Sequence, residues 1–226
     1  MALADVRSEP WYPRLCLPKY SVVEAARYAQ THRSNVGYWY YGARKPVLSG
    51  RKPRESLSYL QLVEVAFVAT CLRYKIPLRN VRRAHDYLRR LLREEFPFAH
   101  LKFKTEGRHV LLEDEPKSEL LTAADAWGQR TWSGLLQRFE EFEYLGDLAV
   151  RWMVRGNSVP ISIDPRVAFG DPIVRGVPTW VLKERWLSGE SADEIRESFC
   201  LTAAELRHAL TFENVGLEGR SLGNHG

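Results

Sequence analysis

Cysteine is scarce in this chain of 226 residues: the three present, Cys16, Cys71 and Cys200, are odd in number and far apart. That pattern excludes a disulfide framework and a CxxC metal knuckle, and it fits free thiols in a reducing cytoplasm. Long apolar runs are missing too, since none approaches the roughly 20 residues that a membrane-spanning helix needs. The segment Met1 to Pro10 has no basic patch followed by an apolar stretch, so no secretion signal is expected and the location read is cytoplasmic. The histidines, His32, His85, His100, His109, His208 and His225, form no HxxH or HExxH pair, which argues against a zinc site. Neither a phosphate-binding glycine loop nor a Gly-x-Ser-x-Gly nucleophile is present. Glu140, Glu141 and Glu143 crowd together, but on the helix expected there they fan outward as a solvated face, with no histidine beside them. The expectation is a non-enzymatic protein with no catalytic residue, no metal and no cofactor.

What the chain does have is an uneven distribution of charge. The net charge is +5, yet residues 1–110 hold 21 Lys and Arg against 9 Asp and Glu, while residues 111–226 hold 12 against 19. A basic half joined to an acidic half suggests a polyanion-binding module and a second module with another task.

Residues 1–19, with Pro10, Pro13 and Pro18, read as an irregular arm. Residues 20–95 form the basic domain. A short helix begins at Ser21, whose partner Glu24 stands at the capping-box position, and Val22, Ala25, Ala26 and Ala29 follow at helical spacing. Gln30-Thr31-His32 makes a turn, and a second helix runs from Arg33 to Tyr41 with Val36 and Trp39 or Tyr40 pointing inward. Two short helices about a three-residue turn have the proportions of a helix-turn-helix. On the second of them Thr31, Arg33, Ser34, Asn35 and Tyr38 are the candidates to face a groove of double-stranded DNA. Arg reads guanine and Asn reads adenine bidentately, while Ser and Thr take phosphate more often. Trp39 is expected in the core.

The Gly- and Pro-rich stretch from Gly42 to Ser56 carries Arg44, Lys45, Arg51, Lys52 and Arg54 with only Glu55 to offset them, as expected of a wing laid along phosphates. A long helix from about Ser58 to Tyr74 is expected to bury Leu60, Val63, Phe67, Thr70 and Cys71 along one face, before Pro77 interrupts it. The next, about Leu78 to Glu95, has Val81, Ala84, Leu88, Leu91 and Leu92 as its apolar stripe and six arginines on its other face.

Residues 96–158 read as a connecting hairpin, an amphipathic helix from Trp132 to Phe142 and a strand over Leu148 to Val154. Within residues 159–213, short strand signals precede three helices: Thr179 to Leu187, Ala192 to Phe199 capped by Ser191, and Ala203 to Glu213 capped by Thr202. Residues 214–226 read as a flexible tail. The expected fold is therefore mainly α: a winged helix-turn-helix, a small β element in the middle, and a C-terminal three-helix domain of helix-turn-helix type. The helices from Leu78 and Trp132 are candidates for homodimer contacts, which would match the two-fold symmetry of an operator.

Two stretches carry family patterns. Tyr20 to Trp39, then Leu57-Ser58-Tyr59-Leu60-Gln61-Leu62-Val63-Glu64 and Ile76-Pro77-Leu78-Arg79-Asn80-Val81-Arg82-Arg83-Ala84, resemble in order the winged-helix head of MerR-type regulators. The cysteine pattern of the metal-sensing members is absent. Ile161-Ser162-Ile163-Asp164-Pro165, Gly170 to Gly176 and Gly189-Glu190-Ser191-Ala192-Asp193-Glu194-Ile195 resemble an antitoxin-associated domain family of unknown function, with Asp171 where Lys or Arg is common. Head and tail together resemble VapB-type antitoxins, partners of PIN-domain ribonuclease toxins. The resemblance implies binding to the protein's own operator and neutralisation of a toxin. It also implies an antitoxin arginine plugging the acidic nuclease site, for which Arg175 and Arg220 are the candidates. Two rivals stand beside this reading: a stand-alone MerR-like regulator whose C-terminal domain senses a ligand or protein, and an RNA-binding adaptor using Tyr38 to Tyr41.

Overall fold

The computed structural model describes residues 6–42, 46–52, 54–100 and 140–216. The chain forms two compact units, Met1–Val150 and Arg151–Gly226.

The first unit is built around one helix. The segment expected as an irregular arm instead forms a 3-10 turn, Val6–Ser8, and helix α1, Tyr12–Cys16. Pro13 sits in the first turn of α1, where a missing N–H costs nothing, and Leu15 is fully buried. One turn and a half is too short to show a period in sequence. Helices α2 (Val22–Tyr28) and α3 (Arg33–Tyr41) follow at the expected places. Helix α4, Tyr59–Arg73, starts at a capping box made by Ser58 and Gln61. Its burial is not one-sided: every residue from Tyr59 to Cys71 is buried, because α1, α2, the following helix and the 3-10 turn Pro97–Ala99 all pack on it. A helix enclosed on all sides needs no polar face, and Val65, Ala66, Val68 and Ala69 supply the apolar surface opposite the predicted stripe.

Helix α5, Leu78–Leu92, stops at Arg93, which takes a left-handed conformation with φ of 57°. Its inner face is Val81, Ala84, His85 and Leu88, while Leu91 lies outside at 49% exposure, contrary to the predicted stripe.

The 101–112 hairpin and most of the Trp132 helix lie outside the described residues. Its expected end does not: Phe142–Leu145 is strand β1, so Glu143 sits on a strand, and Glu140 and Glu141 form a turn in which Glu141 is buried. Leu148–Met153 is β2, close to the predicted strand.

In the second unit Trp152 and Met153 pair antiparallel with β3 (Ser162–Ile163), β3 with β4 (Pro172–Val174) and β4 with β5 (Val177–Pro178). The five strands follow chain order in one sheet, and helices make up about half of the described chain. The β content is thus larger than the small central element expected, because strands of two or three residues leave almost no alternation to read. The turn Val174-Arg175-Gly176-Val177 has φ of 49° and 82° at its two central residues, as a tight two-residue hairpin requires. Helices α6 (Thr179–Leu187), α7 (Ala192–Phe199) and α8 (Ala203–Phe212) enclose Leu182, Trp186, Ile195, Leu206 and Leu210. Ser191 with Glu194 and Thr202 with Glu205 form reciprocal capping boxes. Among the described residues no helix is long and apolar enough to cross a membrane.

Candidate nucleic-acid interface

The interface candidate starts from the α2–α3 pair. Ser21 caps α2, accepting from the backbone N–H of Glu24 at 3.2 Å, while Ser21 N–H donates to the Glu24 carboxylate at 2.8 Å. The turn is made by Gln30 in a left-handed conformation, φ 54°, and closed by Thr31 N–H donating to the Ala26 carbonyl at 2.9 Å. His32 then caps α3: its Nδ1 accepts from Ser34 N–H at 3.3 Å and lies 2.7 Å from Ser34 Oγ. The sequence places His32 in the turn but gives no sign of its capping role, because His is not among the preferred capping residues.

Helix α3 divides cleanly. Val36, Trp39 and Tyr40 are buried, and Trp39 is the core anchor at 1% exposure. Burial, with the charge of Glu64 second, pushes the Tyr40 phenol well above its ordinary range, so it stays neutral. On the opposite side Arg33, Ser34, Asn35, Tyr38 and Tyr41 are exposed, with Thr31 half-buried at their edge. Asn35 Nδ2 donates to Thr31 Oγ1 at 3.1 Å, which orients the amide.

In the basic stretch after α3, the described residues 46–52 and 54–56 contain no strand. Val47 and Leu48 are buried, and both of their N–H groups donate to the Trp39 carbonyl, at 2.8 and 3.0 Å. That carbonyl lies in the last turn of α3, where helix carbonyls lack internal partners. Farther on, Leu57 pairs with Tyr20 in an isolated antiparallel bridge.

Arg51 is fastened to the end of α3. Its Nη1 donates to Tyr41 Oη at 3.1 Å, its Nε donates to the Glu55 carbonyl at 2.9 Å, and Tyr41 Oη donates to the Arg51 carbonyl at 3.2 Å. Its guanidinium also lies 5.4 Å from the Tyr41 ring centre. Lys52 and Arg54 are exposed. Arg44 and Lys45 lie outside the described residues. Thr31 thus lies in the turn before α3, Arg33, Ser34, Asn35 and Tyr38 are exposed around that helix, and Arg51 is tied to its end. Arg73, which sequence reasoning passed over, donates to Gln30 Oε1 at 2.7 Å and so braces the turn from α4. A contact between residues 43 positions apart has no sequence signal.

In the second unit, Arg175 Nη1 donates to the Cys200 carbonyl at 2.8 Å and its Nε lies 3.5 Å from Glu205 Oε1. The side chain thus closes the end of α7, where Cys200 is left-handed with φ of 53°. Arg220 lies outside the described residues. Among the described residues no group of three or more His, Cys, Asp and Glu is arranged to hold a metal ion.

Comparison with known proteins bears on the second unit first. Residues 161–212 match the family model described as a protein of unknown function, DUF433. The matched segment runs from the start of the β3 region to the end of α8. The crystal structure of Rv2018 from Mycobacterium tuberculosis resembles the chain with a TM-score of 0.70 at 18% identity, covering 87% of this chain and 99% of that one. The two share a fold. No curated protein matches.

Proposed function

We propose that this chain is a cytoplasmic, homodimeric, DNA-binding antitoxin that represses its own promoter and neutralises a partner PIN-domain ribonuclease toxin without enzymatic activity of its own. The reading rests chiefly on α3: a helix that exposes Arg33, Ser34, Asn35 and Tyr38, with Arg51 clamped to its end. That combination offers base-reading side chains beside phosphate-binding cations, the two parts a duplex reader needs. The neutralising role draws on the DUF433 match and on the acidic balance of the C-terminal half. The test is co-expression with the protein of the adjacent gene, scoring growth and co-purification, together with gel shifts on the upstream DNA. Growth rescue with a stable complex and a shifted operator supports the reading. A shifted operator with neither toxicity nor a complex would leave a stand-alone regulator.

A further inference from the structure

Helix α5 carries a concentration of charge that the function proposed above leaves unused. Arg79, Arg83, Arg89, Arg90 and Arg93 are exposed and Arg82 is half-buried. At 3.6 residues per turn, the five within the helix fall inside an arc of about 120° and run about 16 Å along its axis. Val81, Ala84 and Leu88, on the other side, are buried. Residues 73–93 hold eight Lys and Arg against one carboxylate, Asp86. Asp86 sits within the arc, and Arg90 Nε donates to its backbone carbonyl at 3.1 Å. Neither the spacing nor the placement of these cations favours folding. Arg79 stands at i+3 and i+4 from the like charges of Arg82 and Arg83. It also occupies the first turn, where a helix favours negative charge and this one holds no acidic residue.

This basic stretch starts at the turn between α2 and α3, where Arg73 donates to Gln30 Oε1 at 2.7 Å. Lys75, exposed and left-handed with φ of 62°, then turns the chain, Ile76 N–H donates to the Cys71 carbonyl at 3.0 Å, and α5 begins at Leu78. We propose that the arginine face of α5 is a second DNA contact, gripping duplex phosphates that flank the site read by α3. The inference rests on the DNA-binding reading. A second copy of this chain would bring the same positive charge to the face and be repelled, whereas a duplex carries one negative charge per about 1.7 Å of its axis. Guanidinium groups hold phosphate through paired N–H donors, and such contacts add affinity and fix orientation without reading sequence.

The test uses the full chain and duplex DNA from upstream of its own gene, with affinity measured across a salt series and phosphate contacts mapped by ethylation interference. Arg79→Gln, Arg83→Gln and Arg90→Gln are combined, since Gln keeps a helix propensity close to that of Arg. This triple variant is expected to lower the salt slope by up to about three and to lose interference at the outlying phosphates. Discrimination between the operator and single-base variants of it should be unchanged. Arg79→Lys, Arg83→Lys and Arg90→Lys together should retain the wild-type slope, because the charge is kept. If the Gln variant shows the wild-type slope and interference, the α5 contact is wrong and DNA reading by α3 stands. If the wild-type chain binds no duplex, both fall. If the Gln variant loses base discrimination as well, the arginines act through the fold around α3 and the contact is overturned. A wild-type preference for single-stranded RNA of the same length, lost in the Gln variant, would assign the face to RNA and overturn the duplex contact.

Discussion

Glu64 Oε2 and His85 Nε2 lie 2.9 Å apart inside the first unit, with both side chains buried. The other carboxylate oxygen accepts from Phe98 N–H at 3.1 Å, and the His85 ring stands edge-on to Phe98 with centres 5.1 Å apart. One carboxylate therefore ties α4 to α5 and to the turn at Pro97–Ala99. Breaking a buried pair from one side leaves an uncompensated charge, so His85→Ala is expected to cost about 3–5 kcal/mol. Chemical denaturation of the full chain checks this.

The same pair gives a pH dependence. Burial disfavours the His85 imidazolium, but the charge of Glu64 and its hydrogen bond outweigh it, and the pKa is raised above the ordinary value. The folded protein thus holds the proton more tightly than the unfolded chain. The stabilisation is fully present below pH of about 6.5 and is lost as pH rises through the folded value. The stability gap between wild type and His85→Gln should narrow as pH is raised from 6 towards 9. A gap that stays constant over that range would count against the assignment.

For DNA reading, Arg33→Ala and Asn35→Ala should each lose about 1–3 kcal/mol of discrimination between the operator and single-base variants of it. Binding to unrelated duplexes should change far less. Quantitative gel shifts on a panel of substituted operators measure the difference directly.

Replacing Arg51, Lys52 and Arg54 together should weaken all duplexes alike and lower the salt slope by up to about one per lost phosphate contact. Tyr41→Phe, which removes the hydroxyl that holds Arg51, should reproduce part of the Arg51 effect without removing any charge. Normal DNA binding by the triple variant would exclude the loop from the interface.

Trp39 and Tyr38 are neighbours with opposite roles. Trp39→Ala empties a core site and should cost about 3–5 kcal/mol, enough to unfold a marginal unit. Tyr38→Ala, on the exposed side, should leave the melting temperature unchanged and show its effect only when DNA is present. Circular dichroism melts of the two variants separate these outcomes.

Much of the local architecture was readable from the residues alone. The starts of α2, α7 and α8 follow from short-range signals: Ser21 with Glu24, Ser191 with Glu194, and Thr202 with Glu205. Signals of that kind act within one helical turn, so a single sequence contains them. What escaped reading is tertiary. Nothing near Glu64 announces His85, nothing near Arg51 announces Tyr41, and the all-round burial of α4 depends on which neighbours happen to cover it. That Val47 and Leu48 donate their N–H groups to the Trp39 carbonyl is likewise a choice that composition cannot reveal.

That shared carbonyl has a mechanical consequence. With two loop amides anchored on Trp39 and the Arg51–Tyr41 clasp beside them, loop and helix are pinned together at adjacent points. A duplex laid against α3 would meet Lys52 and Arg54 at a fixed offset, with little conformational entropy left to lose on docking. In the proposed complex such a part would act as a ruler, setting the distance from a base edge to a phosphate before any base is read.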